Sequence, residues 1–124
     1  MSDIRDDFLS FIETATFRRF WNDYDLTDEH FFDLQNEVVA DPKSGDVVKG
    51  TGGVRKLRFS PKGSGKGKSG SLRVMYHYYE EFGIVLLLTL FAKNVMENIS
   101  ENDKKAIKAA VEMQYKLLSE KNKR

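Results

Sequence analysis

The sequence predicts an α+β domain with an N-terminal strand and helical hairpin, an antiparallel β-sheet and a C-terminal helix. Three observations point to it. Apolar residues recur at helical spacing near the start (Phe31, Leu34, Val38) and again near the end (Ile107, Val111, Leu118). Between them, residues 54–59 and 71–79 alternate with a period of two, as strands do. Residues 84–91 are apolar on both faces, the pattern of an interior strand covered on both sides.

Residues 1–7 read as a polar tail, 8–120 as the single domain and 121–124 as a basic fringe suited to a helix C-terminus. The aromatic and β-branched run at 8–12 predicts an opening strand. Thr14 is placed to cap a short helix over 15–22 that presents Phe17, Phe20 and Trp21. Thr27 caps the next helix, with Asp28 and Glu29 favourably placed in its first turn. Phe32 and Val39 are expected to widen its Phe31, Leu34, Val38 stripe. Pro42 ends it, because a proline pushes the preceding residue out of the helical region. Val47 and Val48 form a short pairing segment, and Gly50-Thr51-Gly52-Gly53 needs backbone angles that glycine supplies. In the strand 54–59, Val54, Lys56 and Arg58 share one face, and Arg55, Leu57 and Phe59 the other. Residues 60–69 are too glycine-rich to pack. In 71–79, Leu72, Val74, Tyr76 and Tyr78 share a face opposite to Arg73, Met75, His77 and Tyr79. Residues 80–83 close a hairpin. Ser100 opens the last helix, whose stripe is Ile107, Ala110, Val111, Gln114, Leu117 and Leu118.

With 40% hydrophobic residues, the 124-residue chain can build one core. It contains no cysteine, which excludes disulfides and Cys-based zinc sites. The first residues carry no secretory pattern, and the longest apolar run, 84–92 broken by Thr89, falls far short of the ~18 residues of a membrane span. A soluble, cytoplasmic protein is expected. The net charge of +1 conceals a polarised molecule: residues 1–41 carry eleven acids and three bases, whereas 49–73 carry eight bases and no acid. Such a patch is the footprint of a polyanion partner. Lys56, Arg58 and Arg73 lie in strands, where like charges on neighbours repel by up to ~1 kcal/mol, and a sheet face that accepts this suggests an anionic ligand.

Gly67-Lys68-Ser69 looks like the end of a phosphate-binding loop. However, Lys62 stands where the first glycine belongs and the loop leads into a strand, so nucleotide binding is rejected. His30 reads as a surface residue. His77 shares the Arg73 face, where it serves catalysis or, as a lone histidine, packing. Tyr76, Tyr78 and Tyr79 are candidates to stack on bases, although alternation also suits Tyr76 and Tyr78 to the core. No His, Asp and Glu cluster has metal-ligand spacing, and neither metal nor cofactor is expected.

The run G-D-V-V-K-G-T-G-G-V-R-K-L-R-F, the loop G-K-G-K-S-G, then S-L-R-V-M-Y and L-L-T-L-F-A-K-N, resemble the RelE/ParE superfamily of toxins. The glycine-lysine loop resembles its HigB-type branch, and the similarity runs from about residue 11 to 118. The resemblance implies a compact RelE-like fold and the toxin of a type II toxin-antitoxin system. It implies an endoribonuclease that enters the ribosomal A site, cuts mRNA and inhibits translation. It also implies a cognate helix-turn-helix antitoxin (HigA-like), through which alone the toxin meets operator DNA, and no membrane partner. The family's catalytic cations fall on Lys56, Arg58, Arg73 and Lys93, with Asn94 where many members carry arginine. Some members use a tyrosine early in the last helix as proton acceptor; residues 99–111 contain none. Lys56 is then a candidate base and Lys93 a candidate acid. Arg55, Lys62, Lys66, Lys68, Tyr76 and His77 are candidate RNA contacts. The implied chemistry is metal-free attack of the RNA 2′-hydroxyl on the adjacent phosphate. Rival readings are a ParE-like gyrase inhibitor and a non-catalytic nucleic-acid-binding module; the full set of strand cations favours RNA cleavage.

Overall fold

A computed structural model of the chain describes residues 8–62, 71–92 and 99–122. In chain order these form β1 (Ser10–Glu13), α1 (Ala15–Asp23), α2 (Asp28–Ala40), β2 (Asp46–Val47), β3 (Arg55–Phe59), β4 (Leu72–Tyr79), β5 (Ile84–Ala92) and α3 (Glu101–Lys121). The five strands make one sheet in the order β1-β5-β4-β3-β2. Strands β2 to β5 pair antiparallel, but β1 lies parallel to β5. The sheet is therefore mixed, not wholly antiparallel as expected. No short connection joins β1 to β5, so nothing imposes the hairpin direction on that pair.

The helix starts follow from hydroxyl caps. Thr14 Oγ1 accepts from Phe17 N at 3.0 Å and donates to Leu88 O at 2.8 Å, so one hydroxyl both caps α1 and ties it to β5. Leu88 O is free for this because the β4–β5 register shifts at Met75/Tyr76 and leaves Leu88 without a partner on β4. Thr27 and His30 form a capping box: Thr27 Oγ1 accepts from His30 N, and His30 Nδ1 accepts from Thr27 N. With Nδ1 an acceptor, the neutral ring carries its proton on Nε2, which donates to Lys62 O at 3.0 Å. His30 thus latches α2 to the chain that follows β3 and is more than a surface residue.

Each sheet face has its own core. On one, Phe17, Trp21, Leu34 and Val38 of α1 and α2 pack on Phe59, Leu72, Val74, Tyr76, Val85, Leu87 and Leu90. On the other, Val111 and Leu118 of α3 pack on Val54, Met75, Tyr79, Leu86, Leu88 and Phe91. The alternation read for β3 and β4 assigns these faces correctly. Two predicted stripes are too wide. Phe32 is 62% exposed, nearly half a turn from the buried Leu34 and about a third of a turn from Val38, and Leu117 of α3 is 56% exposed. Helix α3 buries Val111 and Leu118 fully and Ile107 in part, while Ala110 stays exposed. A single helix lying across a sheet face covers only the residues along its contact line.

Candidate phosphate-binding face

The β3–β4 register sets Arg58 directly opposite Arg73 and Lys56 opposite Met75. Opposed residues of an antiparallel pair share a face with Cβ atoms ~4.5–5.5 Å apart, and diagonal neighbours lie ~7–8 Å apart. Arg58, Arg73 and Lys56 are therefore mutual neighbours on one face. That face is the one α3 covers. Met75, together with Asp103, Ala106 and Ile107, lines a cavity of about 380 Å³ beneath the first turns of α3. Further along, Tyr79 Oη donates to Val111 O at 2.8 Å. Helix α3 thus runs from Met75 towards Tyr79, and Arg73 lies one step beyond its N-terminal end. Arg58 is exposed, and Lys56 and Arg73 are half-buried. Among the described residues the ion pairs are Arg18–Glu13, Lys43–Glu80 and Lys104–Glu101, so the three cations are not neutralised by a carboxylate there. Arg73 Nη1 donates to Ser71 Oγ at 3.4 Å. Two guanidinium forks and an ammonium on one face suit a phosphodiester, whose oxygens accept bidentate hydrogen bonds.

The other candidates divide. Tyr76 lies on the opposite face, fully buried; its hydroxyl donates to Pro42 O at 2.9 Å and accepts from Gly45 N at 3.1 Å. No base can stack on it, and the RNA-contact expectation is corrected to a structural one. Arg55 is half-buried on that same opposite face, apart from the cation cluster, and its Nη1 donates to the carbonyls of Lys43 and Gly45 at 2.9 and 2.8 Å. His77 keeps the predicted face but stands four residues from Arg73, about 13 Å along the strand. Its ring meets Tyr79 edge-on, with centroids 4.6 Å apart, and a Cβ on Gly53 would lie 3.2 Å from its Cε1. Burial lowers the His77 pKa below the ordinary histidine value; a backbone contact with Gly53 opposes the shift and the Arg55 charge adds to it. Among the described residues the buried Nδ1 has no well-aligned hydrogen-bond partner, so the Gly53 contact is weak. His77 supports the turn and is not part of the cation cluster. Lys62 is exposed, while Lys66, Lys68 and Lys93 lie outside the described residues.

The turn over His77 explains the glycine run. Thr51, fully buried, donates to Val48 O at 2.6 Å and accepts from Val54 N at 3.1 Å. Around it the chain needs positive φ at Gly50, Gly52 and Gly53 (+84°, +79° and +104°). This turn returns β2 alongside β3 and sets Asp46 opposite Lys56. The neighbourhood of Asp46 depends on a register that a two-residue strand does not announce in the sequence. Among the described residues no group of three His, Cys, Asp or Glu is placed to hold a metal ion, and no helix is long and apolar enough to cross a membrane.

A family model described as the RelE toxin of the RelE/RelB toxin-antitoxin system matches residues 11–123. The chain belongs to the RelE toxin family. Among solved structures it is similar to a double arginine-to-alanine mutant of the E. coli toxin RelE in the free state. The TM-score is 0.52 at 13% identity, over 83% of this chain and 96% of that one. At that identity the likeness speaks for the fold: three helices and a five-stranded mixed sheet, closed by a C-terminal helix, are the RelE arrangement. Membership of the RelE family makes the chain a toxin of a toxin-antitoxin pair and implies a cognate antitoxin.

Proposed function

We propose that this RelE-family toxin is a ribosome-dependent endoribonuclease that cleaves mRNA in the A site by metal-free 2′-hydroxyl transesterification. The observation that carries the reading is the opposition of Arg58 and Arg73, with Lys56 beside them, on a sheet face past the end of α3. In the reaction the 2′-oxygen attacks phosphorus and the P–O5′ bond breaks, leaving a 2′,3′-cyclic phosphate and a 5′-hydroxyl. Negative charge gathers on the phosphoryl oxygens in the transition state. Arg58 and Arg73 stabilise it there, an effect worth several kcal/mol where water is excluded. Lys56 and Lys93 are candidates for the proton transfers. Lys62, Lys66 and Lys68 hold the RNA backbone through charge alone, which makes binding salt-dependent. A cation cluster on a sheet face does not by itself align free RNA for in-line attack, so the ribosome supplies the alignment. The antitoxin is a HigA-like helix-turn-helix protein, and the compartment is the cytoplasm.

The test is mapping of mRNA 5′ ends after induction, with and without translation, for the wild type and Arg73→Ala. New 5′-hydroxyl ends that need translation, resist EDTA and vanish in Arg73→Ala support the proposal. Intact mRNA with trapped gyrase–DNA complexes would instead make the chain a ParE-like inhibitor.

A further inference from the structure

We infer that Asp46 is the base that removes the 2′-hydroxyl proton in the proposed reaction, and that Lys56, across from it, protonates the leaving 5′-oxygen. This rests on the endoribonuclease reading above. The reaction needs a group that accepts a proton next to the cations. Cross-strand pairing puts Asp46 of β2 on the same face as Lys56, and one diagonal step from Arg58. Both Asp46 and Val47 of this edge strand are exposed. Oppositely charged side chains so placed normally close on each other, yet neither Asp46 nor Lys56 enters an ion pair among the described residues. Among those residues neither charge is spent on the other.

Among the described residues the alternatives on that face are occupied or elsewhere. His77 is packed beneath Gly53. The Tyr79 hydroxyl is spent on Val111 O, and burial pushes its pKa up to about 12. At the start of α3, Glu101 lies 3.7 Å from Lys104. Asp103 lines the cavity with Thr14, Phe20 and Leu88, on the β5 side of Met75, whereas Lys56 is on the β3 side. Among the described residues the charged groups that the register sets nearest Asp46 are Lys56 and Arg58 of β3, both cations, and Lys104 and Lys108 of α3 lie against the following turn at Gly50 and Gly52.

The step balances. An Asp46 carboxylate oxygen takes the 2′-hydroxyl proton as the 2′-O–P bond forms. The P–O5′ bond breaks, and the 5′-oxygen takes a proton from the Lys56 ammonium. Asp46 is left protonated and Lys56 neutral, and one proton passing across the strand pair restores both.

The experiment measures single-turnover cleavage of mRNA in the A site of programmed ribosomes by the wild type, Asp46→Asn, Asp46→Glu and Lys56→Ala. General base catalysis typically contributes about 10²–10⁴-fold. Asp46→Asn is expected to be slower by about 100-fold or more, with ribosome binding no weaker and Tm lowered by no more than about 3 °C, and Asp46→Glu to recover most of the rate. Its residual rate should climb about tenfold per pH unit as hydroxide replaces the lost base, while the wild type does not. A substrate with sulfur in place of the 5′-oxygen needs no acid: it should restore Lys56→Ala and leave Asp46→Asn slow. Undiminished cleavage by Asp46→Asn, or its rescue by the sulfur substrate, overturns the assignment while leaving the endoribonuclease reading intact. A wild type that releases no 5′-hydroxyl ends brings down both.

Discussion

Arg58→Gln should make the protein more stable and less active. The register holds the Arg58 and Arg73 Cβ atoms ~5 Å apart on one face, and no carboxylate among the described residues neutralises either. With charge centres ~6.5 Å apart at an effective dielectric of ~40–80, the repulsion from Arg73 is roughly 0.6–1.3 kcal/mol, while Lys56 two residues along and Asp46 one diagonal step away act at similar range with opposite sign and largely cancel. Salt at ~0.1 M, with a screening length of ~10 Å, about halves it. Glutamine keeps much of the aliphatic stem, so the packing changes little. For a domain of 124 residues, ~0.3–0.6 kcal/mol is a Tm rise of about 1–3 °C. Circular dichroism melts at low and high salt read this directly. The variant should melt higher at low salt, and the gap should close at ~0.5 M, where the screening length is shorter. A-site cleavage should fall by about 10²-fold or more, the usual cost of one lost charge-stabilising donor. If Arg58→Gln melts lower than the wild type at low salt, the arginine stabilises the fold, and the argument that repulsion is tolerated for a ligand fails.

Other consequences follow from the packing. Tyr76→Phe strips the hydroxyl that serves Pro42 O and leaves the buried Gly45 N–H without its acceptor, so urea midpoints should register a loss of ~1–3 kcal/mol with RNA affinity unchanged; weaker RNA binding at full stability would return Tyr76 to the binding surface. Gly53→Ala combines φ +104° with a Cβ 3.2 Å from the His77 ring and should cost ~1–3 kcal/mol; an unchanged melt would mean the turn relaxes freely. The His77 pKa is lowered in the folded state, chiefly by burial, so the unfolded chain takes up the proton first. Stability from this source is complete above the ordinary value of 6.5 and is lost as pH falls from there towards the lower native value. Denaturant midpoints between pH 5 and 8 should show that slope and lose it in His77→Asn; equal slopes in both would exclude His77 as its source.

What the sequence disclosed depended on whether the signal was local. The Lys56 and Arg58 face was legible because charged residues alternate with Leu57 and Phe59 within five positions. The helix starts were legible because Thr14, Thr27 and Ser100 each accept from an amide three residues on. The direction of β1 was hidden, since four residues pairing with a strand over seventy positions away carry no mark of orientation. Alternation set His77 on the correct face but could not show the Gly50–Gly53 turn folding over it. For Tyr76 the same alternation allowed a core reading, and burial decided for it.

The two halves of the α3 face differ in what they require. Met75, Tyr79, Leu86 and Leu88 are apolar and need cover, which Ile107, Val111 and Leu118 supply. Lys56, Arg58 and Arg73 lose hydration if covered, and among the described residues there is no partner to compensate. The boundary between the two is drawn within β4, where Arg73 gives way to Met75 two residues later. A helix seated on the apolar half by its own apolar side chains therefore ends next to the charged half without any further instruction. Helix α3 leaves the cations uncovered because they gain nothing from it, so one pattern in β3 and β4 determines both how this core closes and where α3 stops covering the sheet.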